Sequence, residues 1–138
     1  MIADLAARVI TLAKSPALVA DLGCGRGTTT RMLAERLASA RVIAVDLSAA
    51  LLDAARNQLP AERAGSIRAD FHCLPLASRS CDVVVAAFCL YHSPSPGQVI
   101  GEIARCLRPG GTAILATKSA DSYRELDRLM RAAGRGAS

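Results

Sequence analysis

Between Val19 and Thr30 the chain reads Val-Ala-Asp-Leu-Gly-Cys-Gly-Arg-Gly-Thr-Thr-Thr, and no other stretch restricts the fold as tightly. An apolar run carries an acid near its end, three glycines alternate, and three threonines open a helical pattern. That order suits a strand, a tight turn and a helix N-terminus, the corner where an α/β sheet presents a nucleotide-like ligand. Alternating glycines permit positive φ and let a ligand approach the main chain with no Cβ in the way. Asp21 stands just before the turn. Its carboxylate repels a pyrophosphate and attracts a cation, so the loop suits a ligand with a positive group.

The rest of the chain repeats the strand-then-helix rhythm. Helical periodicity covers 2–14, 28–38, 97–107 and 119–133, and a further helix runs from the N-cap Ser48 to Gln58. Strands are expected at 17–22, 41–46, 66–70, 81–90 and 112–117, with a turn at 108–111. The run Val83-Val84-Val85-Ala86-Ala87-Phe88 is apolar at every position, which suits a strand buried on both faces. Alternating strands and helices predict an α/β, doubly wound, mostly parallel sheet with helices on both faces. One domain over 1–133 and a flexible tail at 134–138 are expected.

Composition excludes several classes. The net charge is +5, but the arginines are dispersed rather than gathered into a nucleic-acid footprint. Aromatics make up 3%, with no Trp, so single strands would find no stacking platform. No apolar run reaches the roughly 20 residues of a membrane span. Met1-Ile2-Ala3-Asp4-Leu5 lacks the basic start of a signal peptide, so a cytoplasmic location is expected. Cys24, Cys73, Cys81, Cys89 and Cys106 include no C-x-x-C pair. Most of them read as small buried residues in a reducing compartment, with no metal site and no disulfide framework expected.

Three acids, Asp21, Asp46 and Asp70, close three successive expected strands. A parallel sheet brings all three to its carboxyl edge. Asp46, 23 residues after Gly23, suits acceptance from ribose hydroxyls. Asp70 is placed to accept from an exocyclic amine. Together they outline an adenosine beside a cationic group. A dinucleotide is disfavoured, because the loop is G-x-G-x-G followed by Thr28 rather than G-x-G-x-x-G, and the Gly-Lys-Ser/Thr of a phosphate loop is absent. Plainer roles exist too: Asp21 capping the turn, and Asp46 capping the helix after its strand.

With these pieces in order, the chain resembles the class I S-adenosylmethionine-dependent methyltransferases of small-molecule type. The matching segments are Asp21 to Gly27, Val42 to Ser48, Ala69-Asp70-Phe71 with Leu74-Pro75, Cys81 to Val84, and Leu107-Arg108-Pro109-Gly110-Gly111. The resemblance implies a Rossmann-like sheet of order 3-2-1-4-5 and S-adenosylmethionine as cofactor, with S-adenosylhomocysteine as product. It implies that Gly23, Cys24, Gly25 and Gly27 pass under the methionine part and that Asp21 helps position that end. Asp46 would hold the ribose, Leu47 would pack on adenine, Asp70 would accept from adenine N6, and Phe71 would line the base. The segment from Phe88 to His92 would line the path to the acceptor, an O, N or C atom of a small molecule. His92 is the candidate base or substrate contact, or else packs in the loop. His72 reads as structural. The alternatives are a cofactor-binding module without turnover, or another nucleotide-binding α/β domain.

The family's sheet usually ends in a hairpin of two further strands, which does not follow here. The fifth strand would then be an apolar edge. Either the chain is a fragment, or a second copy covers that edge in a homodimer.

Overall fold

A strand that is apolar at every position needs a cover on both faces, and the computed structural model supplies one. It describes residues 17–23, 27–37, 39–60, 62–87 and 93–116. Along them run β1 (Leu18–Leu22), α1 (Thr28–Arg36), β2 (Arg41–Asp46), α2 (Ala49–Arg56), β3 (Ala64–Arg68), β4 (Cys81–Ala87), α3 (Pro96–Cys106) and β5 (Leu107–Ala116). The five strands form one sheet in the order β3-β2-β1-β4-β5, as expected. Every pairing is parallel. The order reverses between β1 and β4, which makes the carboxyl end of β1 the switch point where such sheets bind ligands.

Side-chain parity sorts the core into two layers. Val19, Val42, Val83 and Val85 meet Leu33 and Ala34 of α1 and Leu37 just past its end. On the same side, Ala44 meets Leu52 of α2. Their strand neighbours Ala20, Leu22, Val84 and Ala86 face the other way, onto Val99, Ile100 and Ile103 of α3. The helices thus cover both faces, as right-handed crossovers on either side of the switch require.

Polar side chains pin the amino edge. Asp82 Oδ2 accepts from the amides of Ala17 (2.8 Å) and Leu18 (2.9 Å), and Arg108 Nε lies 3.0 Å from Asp82 Oδ1. One carboxylate ties the starts of β1 and β5 to β4. Arg63 donates to the carbonyls of Ala34 (2.6 Å) and Leu37 (3.4 Å), supplying donors where the last turn of α1 has run out of amides.

Several boundaries differ from expectation. Strand β3 starts at Ala64 and ends at Arg68, so Asp70 lies beyond it. Asp46 is the last residue of β2, and its carbonyl accepts from Ala69 N at 3.0 Å. The expected turn at 108–111 lies inside β5. Cys81 pairs Leu107 and Val83 pairs Thr112, so the extra residues bulge out while pairing resumes on either side. Helix α1 stops at Arg36, because Leu37 leaves the helical region. The expected helices over 2–14 and 119–133, the tail at 134–138 and the end of the fourth strand at 88–90 lie outside the described residues. No described helix is long and apolar enough to cross a membrane. Of the described cysteines, Cys81 and Cys106 are buried as expected, whereas Cys73, in the loop after β3, is exposed.

Candidate functional site at the carboxyl edge of the sheet

Asp21 sits one residue before the end of β1, where parity turns it toward α1. It is 1% exposed. Thr30, in the first turn of α1, donates its hydroxyl to Asp21 Oδ2 at 2.6 Å. Burial pushes the Asp21 carboxyl up to about 7, nearby Asp46 adds to the rise, and the Thr30 bond opposes it. A buried acid with a neutral hydroxyl partner is poised to gain from an arriving positive charge. Thr30 was legible in the sequence only as one of three threonines. Its role follows from standing one turn into the helix that parity aims at Asp21.

The turn after β1 depends on glycine at two described positions. Gly23 has φ +64° and donates its amide to Val45 O at 2.8 Å, tying the loop to the end of β2. Gly27, the residue before α1, has φ +88°, and a Cβ there would lie 2.8 Å from Ala55 Cβ. Gly27 therefore lets α1 start directly against α2, a packing duty that the sequence did not reveal. Cys24 and Gly25 lie outside the described residues.

Asp46 ends β2 and accepts the Ser48 amide at 2.9 Å. The helix cap is Ser48, whose hydroxyl oxygen accepts from Leu51 N at 3.3 Å. Asp46 is therefore not needed as the cap of α2. Between them stands Leu47, a large apolar side chain 62% exposed beside a carboxylate. Its carbonyl accepts from Arg68 Nε at 2.9 Å, which fixes the backbone here.

Asp70 lies in the turn after β3. Its Oδ1 accepts the His72 amide at 2.9 Å and contacts His72 Nδ1 at 2.5 Å. These bonds, the amide first, hold the Asp70 carboxyl below the usual range. The other ring nitrogen, Nε2, lies 2.6 Å from Ser93 Oγ, across from the segment that follows β4. His72 thus joins two loops. The Phe71 ring is half-buried and meets the His72 ring edge-on at 5.0 Å.

A second staple holds this loop to α3. Glu102 Oε1 accepts from Leu74 N at 2.7 Å. Arg105 donates to Glu102 and to the carbonyls of Leu74 and Leu76, the latter two both at 2.9 Å. The Arg105 bond holds the Glu102 carboxyl below its ordinary range. These residues looked like ordinary charges on a helix face in the sequence. Arg105 also borders an open groove of about 430 Å³ with Ser78, Arg79 and Pro109, away from the carboxyl edge. Its guanidinium is already saturated by protein acceptors, so it offers that groove little for an anion.

The structure therefore brings Asp21, Gly23, Gly27, Asp46 and Leu47 to one edge of the sheet, with Asp70 and Phe71 in the adjoining loop. Phe88 and His92 lie outside the described residues. Among the described residues no cluster of His, Cys, Asp and Glu could hold a metal ion.

Comparison with known proteins agrees with this arrangement. Residues 20–115 match the methyltransferase domain family. The malonyl-(acyl-carrier protein) O-methyltransferase of Enterobacter lignolyticus is 37% identical over 116 residues, covering 84% of this chain and 45% of that protein. The trans-aconitate 2-methyltransferase of an Azoarcus species is 39% identical over 129 residues, covering 93% of this chain and 48% of that protein. A crystal structure of an S-adenosylmethionine-dependent methyltransferase from Mesorhizobium loti superimposes with TM-score 0.73 at 29% identity, over 84% of this chain and 52% of that one. The chain spans about half the length of the curated relatives it matches. Sheet order, glycine turn and matched residues lead to one conclusion: this chain belongs to the methyltransferase domain family, in its class I, S-adenosylmethionine-dependent form.

Proposed function

We propose that this chain holds S-adenosylmethionine across the carboxyl edge of the sheet and passes its methyl group to an O, N or C atom of a small-molecule acceptor. The observation that carries the reading is the gathering of Asp21 and Asp46 at the switch point with Asp70 in the next loop, beside the exposed Leu47. The residues suit that cofactor. Asp46 is the acceptor for the ribose diol, Leu47 the apolar surface for adenine, Asp70 the acceptor for adenine N6, and Phe71 a wall of the base site. Gly23, Cys24, Gly25 and Gly27 let the main chain run close beneath the methionine portion. Asp21 offers a carboxylate whose ionisation a positive ligand would favour.

When bound, S-adenosylmethionine supplies a methyl on a sulfonium sulfur, already activated for displacement. The chain's own contribution is then proximity, orientation and exclusion of water. Phe88 is assigned to that wall. His92 is assigned to take a proton from the acceptor where the acceptor atom carries one. The names of two relatives, malonyl-(acyl-carrier protein) and trans-aconitate methyltransferases, favour starting an acceptor panel with carboxylic acids.

Titration calorimetry with S-adenosylhomocysteine tests the reading. Heat of binding is expected, with Asp46→Ala weakening it by about tenfold or more, as loss of a charge-assisted hydrogen bond does. No heat and no thermal shift would overturn it. Binding without methylated product from any acceptor would leave a cofactor-binding module in its place.

A further inference from the structure

The contacts of His72 form a chain from Asp70 to Ser93. An ionised Asp70 can only accept, so His72 Nδ1 carries the proton that faces Asp70 Oδ1. In the neutral ring Nε2 is then an acceptor, and the Ser93 hydroxyl 2.6 Å away donates to it. Ser93 Oγ in turn accepts the Ser95 amide at 3.0 Å. The His72 amide also donates to Asp70 Oδ1, and Gln98 Nε2 donates to His72 O at 3.0 Å. His72 is thus held at its ring, its amide and its carbonyl.

The consequence falls on Asp70, whose carboxylate is half-exposed, at 53%. An exposed carboxylate normally rotates, presenting either oxygen. Here two donors from one residue occupy Oδ1 and set the plane of the group. Among the described residues the second oxygen, Oδ2, has no donor and stays available as an acceptor. An acceptor in a fixed direction favours a donor such as an exocyclic amine. It penalises a carbonyl at the same place, since two acceptors would then be set against each other.

We propose that His72, anchored by Ser93, is a positioning residue that orients Asp70 so that this chain distinguishes an amino-purine from an oxo-purine cofactor. This rests on the reading of Asp70 given above. The same acid–imidazole–hydroxyl order occurs in hydrolases. There a main-chain amide serves the oxyanion, whereas here the neighbouring amide of Ser95 is directed at the hydroxyl oxygen itself.

The test compares two ligands on the full chain by calorimetry: S-adenosylhomocysteine and its deaminated form, S-inosylhomocysteine. The wild-type chain is expected to prefer the adenine form by about thirtyfold or more, and Asp70→Ala to abolish the preference. His72→Ala and His72→Gln are expected to reduce it to a few-fold. His72→Asn, whose amide can reach Asp70 from the Nδ1 position, is expected to restore most of it. Ser93→Ala is expected to lose part of it, and serves as the second variant if His72→Ala does not melt cooperatively. A merely structural His72 would weaken both ligands equally. An unchanged ratio in folded His72→Gln and Ser93→Ala, with the ratio lost in Asp70→Ala, overturns this proposal and leaves the function standing. Absence of S-adenosylhomocysteine binding to the wild-type chain overturns both.

Discussion

Asp21 carries the sharpest electrostatic consequence at the scale of single residues. Its carboxyl titrates near 3.8 ordinarily and near 7 in the fold. The folded state therefore holds a proton between about pH 4 and 7 that the unfolded chain has released, so stability falls as pH rises through that window and is flat beyond it. Relative to Asp21→Asn, whose amide oxygen can still accept from Thr30, the ligand-free wild-type chain should lose on the order of 4 kcal/mol at most across it. Urea unfolding at a series of pH values checks this; parallel curves would contradict it. Gly27 gives a second expectation. Gly27→Ala must place a side chain at φ +88° and 2.8 Å from Ala55 Cβ. A loss of about 1–3 kcal/mol is expected. Adding Ala55→Gly should recover the part due to the clash, and denaturation of the single and double variants would show whether it does. Asp21 and both glycines were conspicuous in the sequence, since only a few residue types suit such positions. The partner of Asp21 and the neighbour of Gly27 were not, because both are met across space.

Elements were read well where one periodicity ran unbroken. Strand β2 and the Ser48 cap fall where they were expected, and the turn at 108–111 keeps its chemistry inside β5. Strand β3 was misplaced because Ala64 and Gly65 are weak strand formers that pair only because β2 is beside them. The loop after β3 is the element whose order is least local. It is fastened at one end by His72 and in the middle by Glu102 and Arg105. Arg105→Ala removes donors to two carbonyls and leaves Glu102 short of its partner. A loss of about 1–3 kcal/mol is expected, reduced by the partial exposure of the pair. Hydrogen exchange should quicken over 70–78 while β1 and β4 keep their protection; equal protection in the variant would mean that the staple does not hold the loop.

The described residues form a sheet whose carboxyl edge is assembled from the connections that follow β1, β2 and β3. A ligand that binds only the folded chain should raise its stability by about 2.7 kcal/mol at a hundred times its Kd. A thermal melt with S-adenosylhomocysteine that does not move with concentration would count against the proposed cofactor. Among the described residues β5 is one edge of the sheet, and we propose that a second copy of the chain covers it. Light scattering checks that: a stable monomer that does not aggregate would count against an open, association-prone edge.

The sequence carried the fold class, the strand order through family resemblance, and the acids and glycines at the ligand edge. Those features are local: hydrophobic period, turn chemistry and an acid at a strand end are all written within a few neighbouring residues. Which acid is buried with a neutral partner, which imidazole orients a carboxylate, and which arginine fastens a loop emerged only once the chain was folded. Thr30 meets Asp21 from nine residues away, Ser93 meets His72 from 21, and Arg105 meets Leu74 from 31. Pairing at such separations is set by which strands lie side by side, and a residue's type does not record its partner.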